Sequence, residues 1–180
     1  MKFNGLNLEQ QPLHSFTLQR FQRFQRSPLT LQMKPLPLGF QRQLRQRGIF
    51  PPVPPAKILR DSSGKPLRDQ NGQALTQSDV TDSKFIEQTE LYHQRVAVLA
   101  IVESLQSDPH IEFETKLNGE TPEGWAQFAD AVFEEFEAAG LTTGDLVAIC
   151  DEICRIGNLL NQDLVREQAN FSESIANGSS

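Results

Sequence analysis

Cys150 and Cys154 stand four residues apart, a spacing that puts both thiols on one face of a helix. Two thiolates can ligate a metal, but a closed zinc site takes four ligands. His14, His93 and His110 are scattered along the chain and share no paired spacing with each other. The pair therefore reads as two small apolar residues in a helix interface, with no metal site. A disulfide between them is disfavoured, because successive helical turns do not present the required geometry. A nucleophilic cysteine needs a histidine and an orienting group brought close, and nothing in the spacing argues for that. The chain has neither a Gly-x-x-x-x-Gly-Lys-Ser/Thr loop nor a Gly-x-Gly-x-x-Gly run after a strand. Glu134, Glu135 and Glu137 fall on the polar side of an amphipathic helix and read as a solvated face. The expectation is a protein that is not an enzyme and takes no cofactor.

The other chemistry-bearing stretch is a triplet repeat, Leu18-Gln19-Arg20, Phe21-Gln22-Arg23, Phe24-Gln25-Arg26. A period of three suits neither a flat strand nor a helix, but fits a twisted edge strand or an exposed arm. Aromatics that stack on bases between arginines that hold phosphates would make a nucleic-acid patch. Phe rings buried beneath flanking Arg at a sheet edge are the structural alternative. Because the arm is too apolar for water and too short for its own core, docking on another protein surface is a further reading. Phe16, Arg20, Phe21, Arg23, Phe24 and Arg26 are the candidate partner-binding residues.

These groups sit in a chain of 180 residues with net charge −6, enough for one ordinary domain or two small ones. Residues 1–60 carry ten basic side chains against one acid, Glu9, for +9; residues 61–90 carry −3, and residues 91–180 carry −12. A basic front and an acidic back either bind nucleic acid through the front or complement each other, within a chain or between copies. The second needs no extra partner, and the acidic half repels nucleic acid, so nucleic acid is not the expected partner. No apolar run approaches the roughly 18 residues of a membrane span, and Met1 to Gln11 lacks the order of a signal peptide. With only two cysteines, a reducing, cytoplasmic location is expected and no membrane partner.

The elements that position these residues change character along the chain. Leu29, Leu31 and Met33 alternate with polar residues and predict a strand bounded by Pro28 and Pro35; Phe16-Thr17-Leu18 alternates likewise. Gly39 to Arg47 predicts two turns of helix stopped by Gly48. Phe50-Pro51-Pro52-Val53-Pro54-Pro55 predicts an extended, stiff spacer. Leu59-Arg60-Asp61-Ser62-Ser63-Gly64-Lys65-Pro66 then repeats as Leu67-Arg68-Asp69-Gln70-Asn71-Gly72-Gln73-Ala74, and Leu75 begins a third copy. Asp-x-x-Gly suits a tight turn, so a miniature β-meander is expected.

From Asp82 the period becomes helical. Asp82 caps a helix of about 25 residues that ends at Asp108-Pro109, with Phe85, Tyr92, Val96, Leu99 and Val102 on its apolar side. Thr121-Pro122 starts a second, with Trp125, Phe128, Ala129, Val132, Phe133 and Phe136 inward, Trp125 and Phe128 buried, and Gly140 as the stop. Thr142 or Thr143 caps a third, carrying Leu146, Ile149, Cys150, Ile153, Leu160 and Leu164. The expected fold class is α+β: a small N-terminal β unit (1–50), a Pro-rich and β-hairpin linker (51–81), a C-terminal three-helix bundle (82–171) and a frayed tail (172–180).

Pro28-Leu29-Thr30-Leu31-Gln32-Met33-Lys34-Pro35-Leu36-Pro37-Leu38-Gly39-Phe40 resembles the strand and "PLPxGF" segment of small phage tail assembly proteins. Phe50-Pro51-Pro52-Val53-Pro54-Pro55 is similar to the Pro-rich stretch that follows in them. The pattern covers about residues 25–170 and resembles the tail assembly chaperone-like proteins of siphophages and prophages. The Asp-x-x-Gly repeat, though within that span, and the Phe-Gln-Arg triplets are not features of the family pattern. The resemblance implies a non-enzymatic assembly factor in the host cytoplasm that coats the elongated tape measure protein during virion morphogenesis; self-association is a further expectation, from the charge split and the apolar arm. A structural component of the phage particle, and a nucleic-acid-binding accessory protein using the basic front, are the alternatives.

Overall fold

Alternation of Leu29, Leu31 and Met33 with Thr30 and Gln32 builds a strand with one apolar and one polar face. The computed structural model of the chain describes residues 2–3, 6–7, 13–18 and 29–157. Within them the protein has an α+β fold, with paired strands early in the chain and three long helices after residue 82. Strands β1 (Lys2–Phe3) and β2 (Leu6–Asn7), β3 (His14–Leu18) and β4 (Leu29–Met33), and β5 (Ala56–Ile58) and β6 (Thr76–Ser78) form three antiparallel pairs. The helices are α1 (Phe40–Gln46), α2 (Ser83–Leu105), α3 (Pro122–Ala138) and α4 (Thr143–Ile156). No helix among the described residues is long and apolar enough to cross a membrane.

Contacts group the chain into two units, each made of non-contiguous segments. One comprises Met1–Phe40, Leu99–Glu114 and Glu134–Ser180; the other comprises Gln41–Val98 and Thr115–Phe133.

In the first unit, β3 and β4 set Phe16 opposite Leu31 and Leu18 opposite Leu29. Leu18, Leu31 and Met33 are buried, and Phe16 and Leu29 are half-buried on the same face. The other face is polar and bonded across the strands: Ser15 Oγ donates to Gln32 Oε1 at 2.9 Å, and the Thr17 and Thr30 hydroxyls lie 3.0 Å apart. The outer edge of β4 is satisfied by the end of α2 and the turn after it. Lys34 N–H donates to the Ser104 carbonyl at 3.0 Å, and Ser104 Oγ–H to the Lys34 carbonyl at 2.7 Å. Gln32 N–H donates to Asp108 Oδ2 at 2.6 Å, while Asp108 Oδ1 accepts from His110 N–H at 2.9 Å. Ser104 and Asp108 are both buried polar groups whose oxygens thus have partners. Thr142, of the two expected threonines, caps α4: its side chain accepts from Asp145 N–H, and Asp145 accepts from the Thr142 N–H, completing a capping box. Ile149 and Ile153 form the buried stripe of that helix, while the expected Leu160 and Leu164 lie outside the described residues.

In the second unit, Gly48 ends α1 at φ 78°, where its N–H donates to the Arg45 carbonyl and Ile49 N–H to the Leu44 carbonyl. Asp82 caps α2 by accepting from Phe85 N–H at 2.9 Å, and Thr121 caps α3 by accepting from Gly124 N–H at 3.0 Å. The expected apolar side of α2 is covered to different degrees along the helix. Phe85, Tyr92 and Val96 are half-buried, and Val98 is buried; beyond this unit, Leu99 is buried and Val102 is half-buried. In α3, Ala129 and Val132 are buried as expected, but Trp125 and Phe128 are only half-buried. They meet edge to face with centroids 5.9 Å apart, at the start of the helix rather than in its covered middle.

Candidate functional site

Of the candidate partner-binding residues, Phe16 lies in β3 on the apolar face, half-buried opposite Leu31. Arg20, Phe21, Arg23, Phe24 and Arg26 fall in the connection between β3 and β4 and lie outside the described residues.

Cys150 and Cys154 occupy successive turns of α4 as free thiols. Burial, with Cys154 and Asp151 adding to it, pushes the Cys150 thiol up to about 11, and burial also raises Cys154. Both therefore remain protonated near neutral pH, the opposite of an activated nucleophile. Among the described residues no group of three or more His, Cys, Asp or Glu stands close enough to hold a metal ion. Glu134 and Glu137 are exposed on α3, and Glu135 accepts from Glu114 N–H at 2.8 Å. His14 Nε2 bonds Glu152 Oε1, and Arg155 Nε donates to Glu152 Oε2 at 2.8 Å, so strand β3 and helix α4 share one charged cluster. The Arg155 guanidinium, then His14, holds the Glu152 carboxyl below its ordinary range.

Two further features have a defined geometry. The first is the repeat between β5 and β6. Asp61 Oδ1 accepts from Ser63 N–H at 2.8 Å, Ser63 Oγ–H at 2.7 Å and Lys65 N–H at 2.9 Å, and Gly64 takes φ 82°. Asp69 repeats this with Asn71 and Gln73 N–H, and Gly72 takes φ 79°. The Asp-x-x-Gly turns form as the sequence predicts, because they are wholly local. Their arrangement is not a meander. Leu67 N–H donates to the Leu59 carbonyl, Leu75 N–H to the Leu67 carbonyl, and Leu59 N–H to the Leu75 carbonyl, at 2.8–2.9 Å. Three equivalent leucines thus close a ring, with the β5–β6 stem and two eight-residue leaves around it. A cloverleaf satisfies the backbone where a meander leaves an edge open. Almost all of it is exposed, including Ile58, Leu67 and Leu75.

The second feature is an apolar cavity of about 180 Å³ in the first unit. Leu29 and Leu31 of β4, Ile101 and Leu105 of α2, Phe136 of α3 and Ile149 of α4 are among the residues of its wall. Phe113 closes another side and meets Phe136 with ring centroids 6.1 Å apart. Exposed Ala139 stands at it, and the two charged side chains that line it are Glu112 and Glu135. The cavity is below the roughly 300–1,000 Å³ of a small-molecule site. Its wall is apolar apart from Glu112 and Glu135. Sequence reasoning missed it, since its wall draws on positions from 29 to 149 that no local pattern connects.

Compared with known proteins, the chain matches no family model, no curated protein and no solved structure.

Proposed function

We propose that this protein is a non-enzymatic assembly factor that binds an elongated, apolar partner, the tape measure protein of a phage or prophage tail, during virion morphogenesis. The observation that carries the reading is the carboxylate-bordered apolar cavity of the first unit, which is suited to another chain's side chain. The segment from Pro28 to Phe40 and the Phe50–Pro55 stretch supply the tie to tail assembly proteins. The exposed proline-rich stretch and cloverleaf suit protein contact as well, because they display backbone and apolar groups on preordered turns. Action in the host cytoplasm follows from this role, where the client is made before the tail tube encloses it.

Deleting the gene from its phage or prophage tests the proposal. Electron microscopy of induced lysates is expected to show filled capsids without tails, and complementation with the full chain restores them. Normal tails in the deletion strain would end this reading.

A further inference from the structure

We propose that Asn118 is a site of spontaneous covalent modification, converting through a cyclic imide to aspartyl and isoaspartyl forms, and that the isoaspartyl form loosens the start of α3. Asn-Gly occurs twice among the described residues, at Asn71–Gly72 and Asn118–Gly119. Both pairs are exposed, and the two glycines have nearly the same φ, 79° and 84°. Having no Cβ, each glycine leaves its own nitrogen open to the preceding side chain. The pairs differ in what holds that nitrogen. Gly72 N–H donates to the Asp69 carbonyl at 3.1 Å, and Asn71 N–H donates to Asp69 Oδ1 at 2.9 Å, so the turn ties down the attacking group and opposes loss of its proton. Among the described residues nothing accepts from Gly119 N–H. Beyond its chain neighbours, no atom lies within 4 Å of the place a Gly119 Cβ would take.

The chemistry needs only water. Gly119 N loses its proton and bonds to Asn118 Cγ, the Cγ–Nδ2 bond breaks, and the side-chain nitrogen leaves as ammonia. Water then opens the imide at one of its two carbonyls. Opening at Cγ gives aspartate on an unchanged main chain. Opening at the backbone carbonyl carbon routes the main chain through Cγ and lengthens it by a methylene. That extra atom falls where the packing has no slack. The Asn118 and Gly119 carbonyl oxygens lie 3.0 and 2.6 Å from the position of a Cβ on Gly124, so both rest on the bare first turn of α3. In that turn Thr121 Oγ1 accepts from Gly124 N–H at 3.0 Å, and the Thr121 carbonyl accepts from Trp125 N–H at 2.9 Å.

The test ages the full chain in mildly alkaline buffer, folded and in urea, and maps asparagine, aspartate and isoaspartate at both sites by peptide mass spectrometry. In the folded chain Asn118 is expected to convert roughly fivefold faster than Asn71, the factor that one net hydrogen bond supplies. In urea, where neither nitrogen is held, the two rates are expected to come together. This comparison needs no variant. Amide exchange at Trp125 is expected to quicken in the folded isoaspartyl fraction. It should not quicken in freshly made Asn118→Asp, which has the new charge without the extra main-chain atom. Asn118→Gln, whose longer side chain would have to close a larger ring, should age with Trp125 exchange unchanged. Equal rates at the two sites in the folded chain overturn the inference, as does an excess at Asn118 that persists in urea. Trp125 exchange that is the same in fresh protein and the isoaspartyl fraction also overturns it. So does exchange that quickens as much in Asn118→Asp or in aged Asn118→Gln.

Discussion

The guanidinium carbon of Arg47 lies 4.1 Å from the centroid of the Trp125 ring. Arg47 follows α1 directly and Trp125 lies in the first turn of α3, so a cation over an aromatic face links two elements of the second unit. It also explains why Trp125 need not be buried: the arginine covers part of the ring while the rest faces Phe128. Trp125→Ala is accordingly expected to cost about 2–3 kcal/mol, below the roughly 3–5 kcal/mol of a fully buried aromatic. Urea unfolding of the full chain measures this. An unchanged midpoint would show that the ring contributes nothing to the fold.

Gly48 predicts a larger penalty from a smaller change. Its φ of 78° disfavours any side chain, and a Cβ there would come within 2.9 Å of Pro122 Cα. Gly64 has a similar φ of 82° but open space around it. Gly48→Ala should therefore lose more than about 2 kcal/mol, and Gly64→Ala about 1 kcal/mol. Equal losses in thermal unfolding would mean that the proline contact is not felt.

Asp108 is expected to be sensitive to loss of its charge. It is buried, and its two carboxylate oxygens accept from Gln32 and His110 N–H. Asp108→Asn turns one acceptor into a donor facing an N–H, which should cost about 1–3 kcal/mol. Faster amide exchange at Gln32 than at residues of α4 in the variant would localise the effect to the β4 edge. Unaltered exchange there would contradict the assigned bond.

The cysteines give a prediction on pH. The Cys150 thiol ionises near 9.0 when unperturbed and at about 11 in the fold, chiefly through burial. The fold therefore favours the protonated thiol, and its stability is expected to be intact below pH 9 and to decline as pH rises from 9 toward 11. Iodoacetamide at pH 8 should modify Cys150 far more slowly in the native protein than in urea. Equal rates, followed by mass spectrometry, would show that the thiol is not shielded.

What was legible in the sequence was whatever is decided within a few residues. Asp82, Thr121 and Thr142 cap their helices because the bonded N–H lies only three positions away. The Asp61 and Asp69 turns form for the same reason, and the strand face of Leu29, Leu31 and Met33 follows from its period. What escaped was non-local. The Leu59–Leu75 bond that closes the cloverleaf joins the two ends of the repeat, and repetition alone does not distinguish a ring from a meander. Trp125 and Phe128 carry the right spacing for a core face, yet position within α3 left them half-covered. The cavity wall joins β4 to three helices, so the candidate site was the least legible part.

The claim that the protein holds an apolar tail protein is tested most directly by co-expression. The full chain would be produced together with a phage tape measure protein, and the complex sought by affinity purification and size-exclusion chromatography. The account predicts that the long protein stays in solution only with this chain present and elutes with it in one peak, and that Ala139→Phe releases it. A long protein that remains in solution alone, or never elutes with this chain, would contradict it.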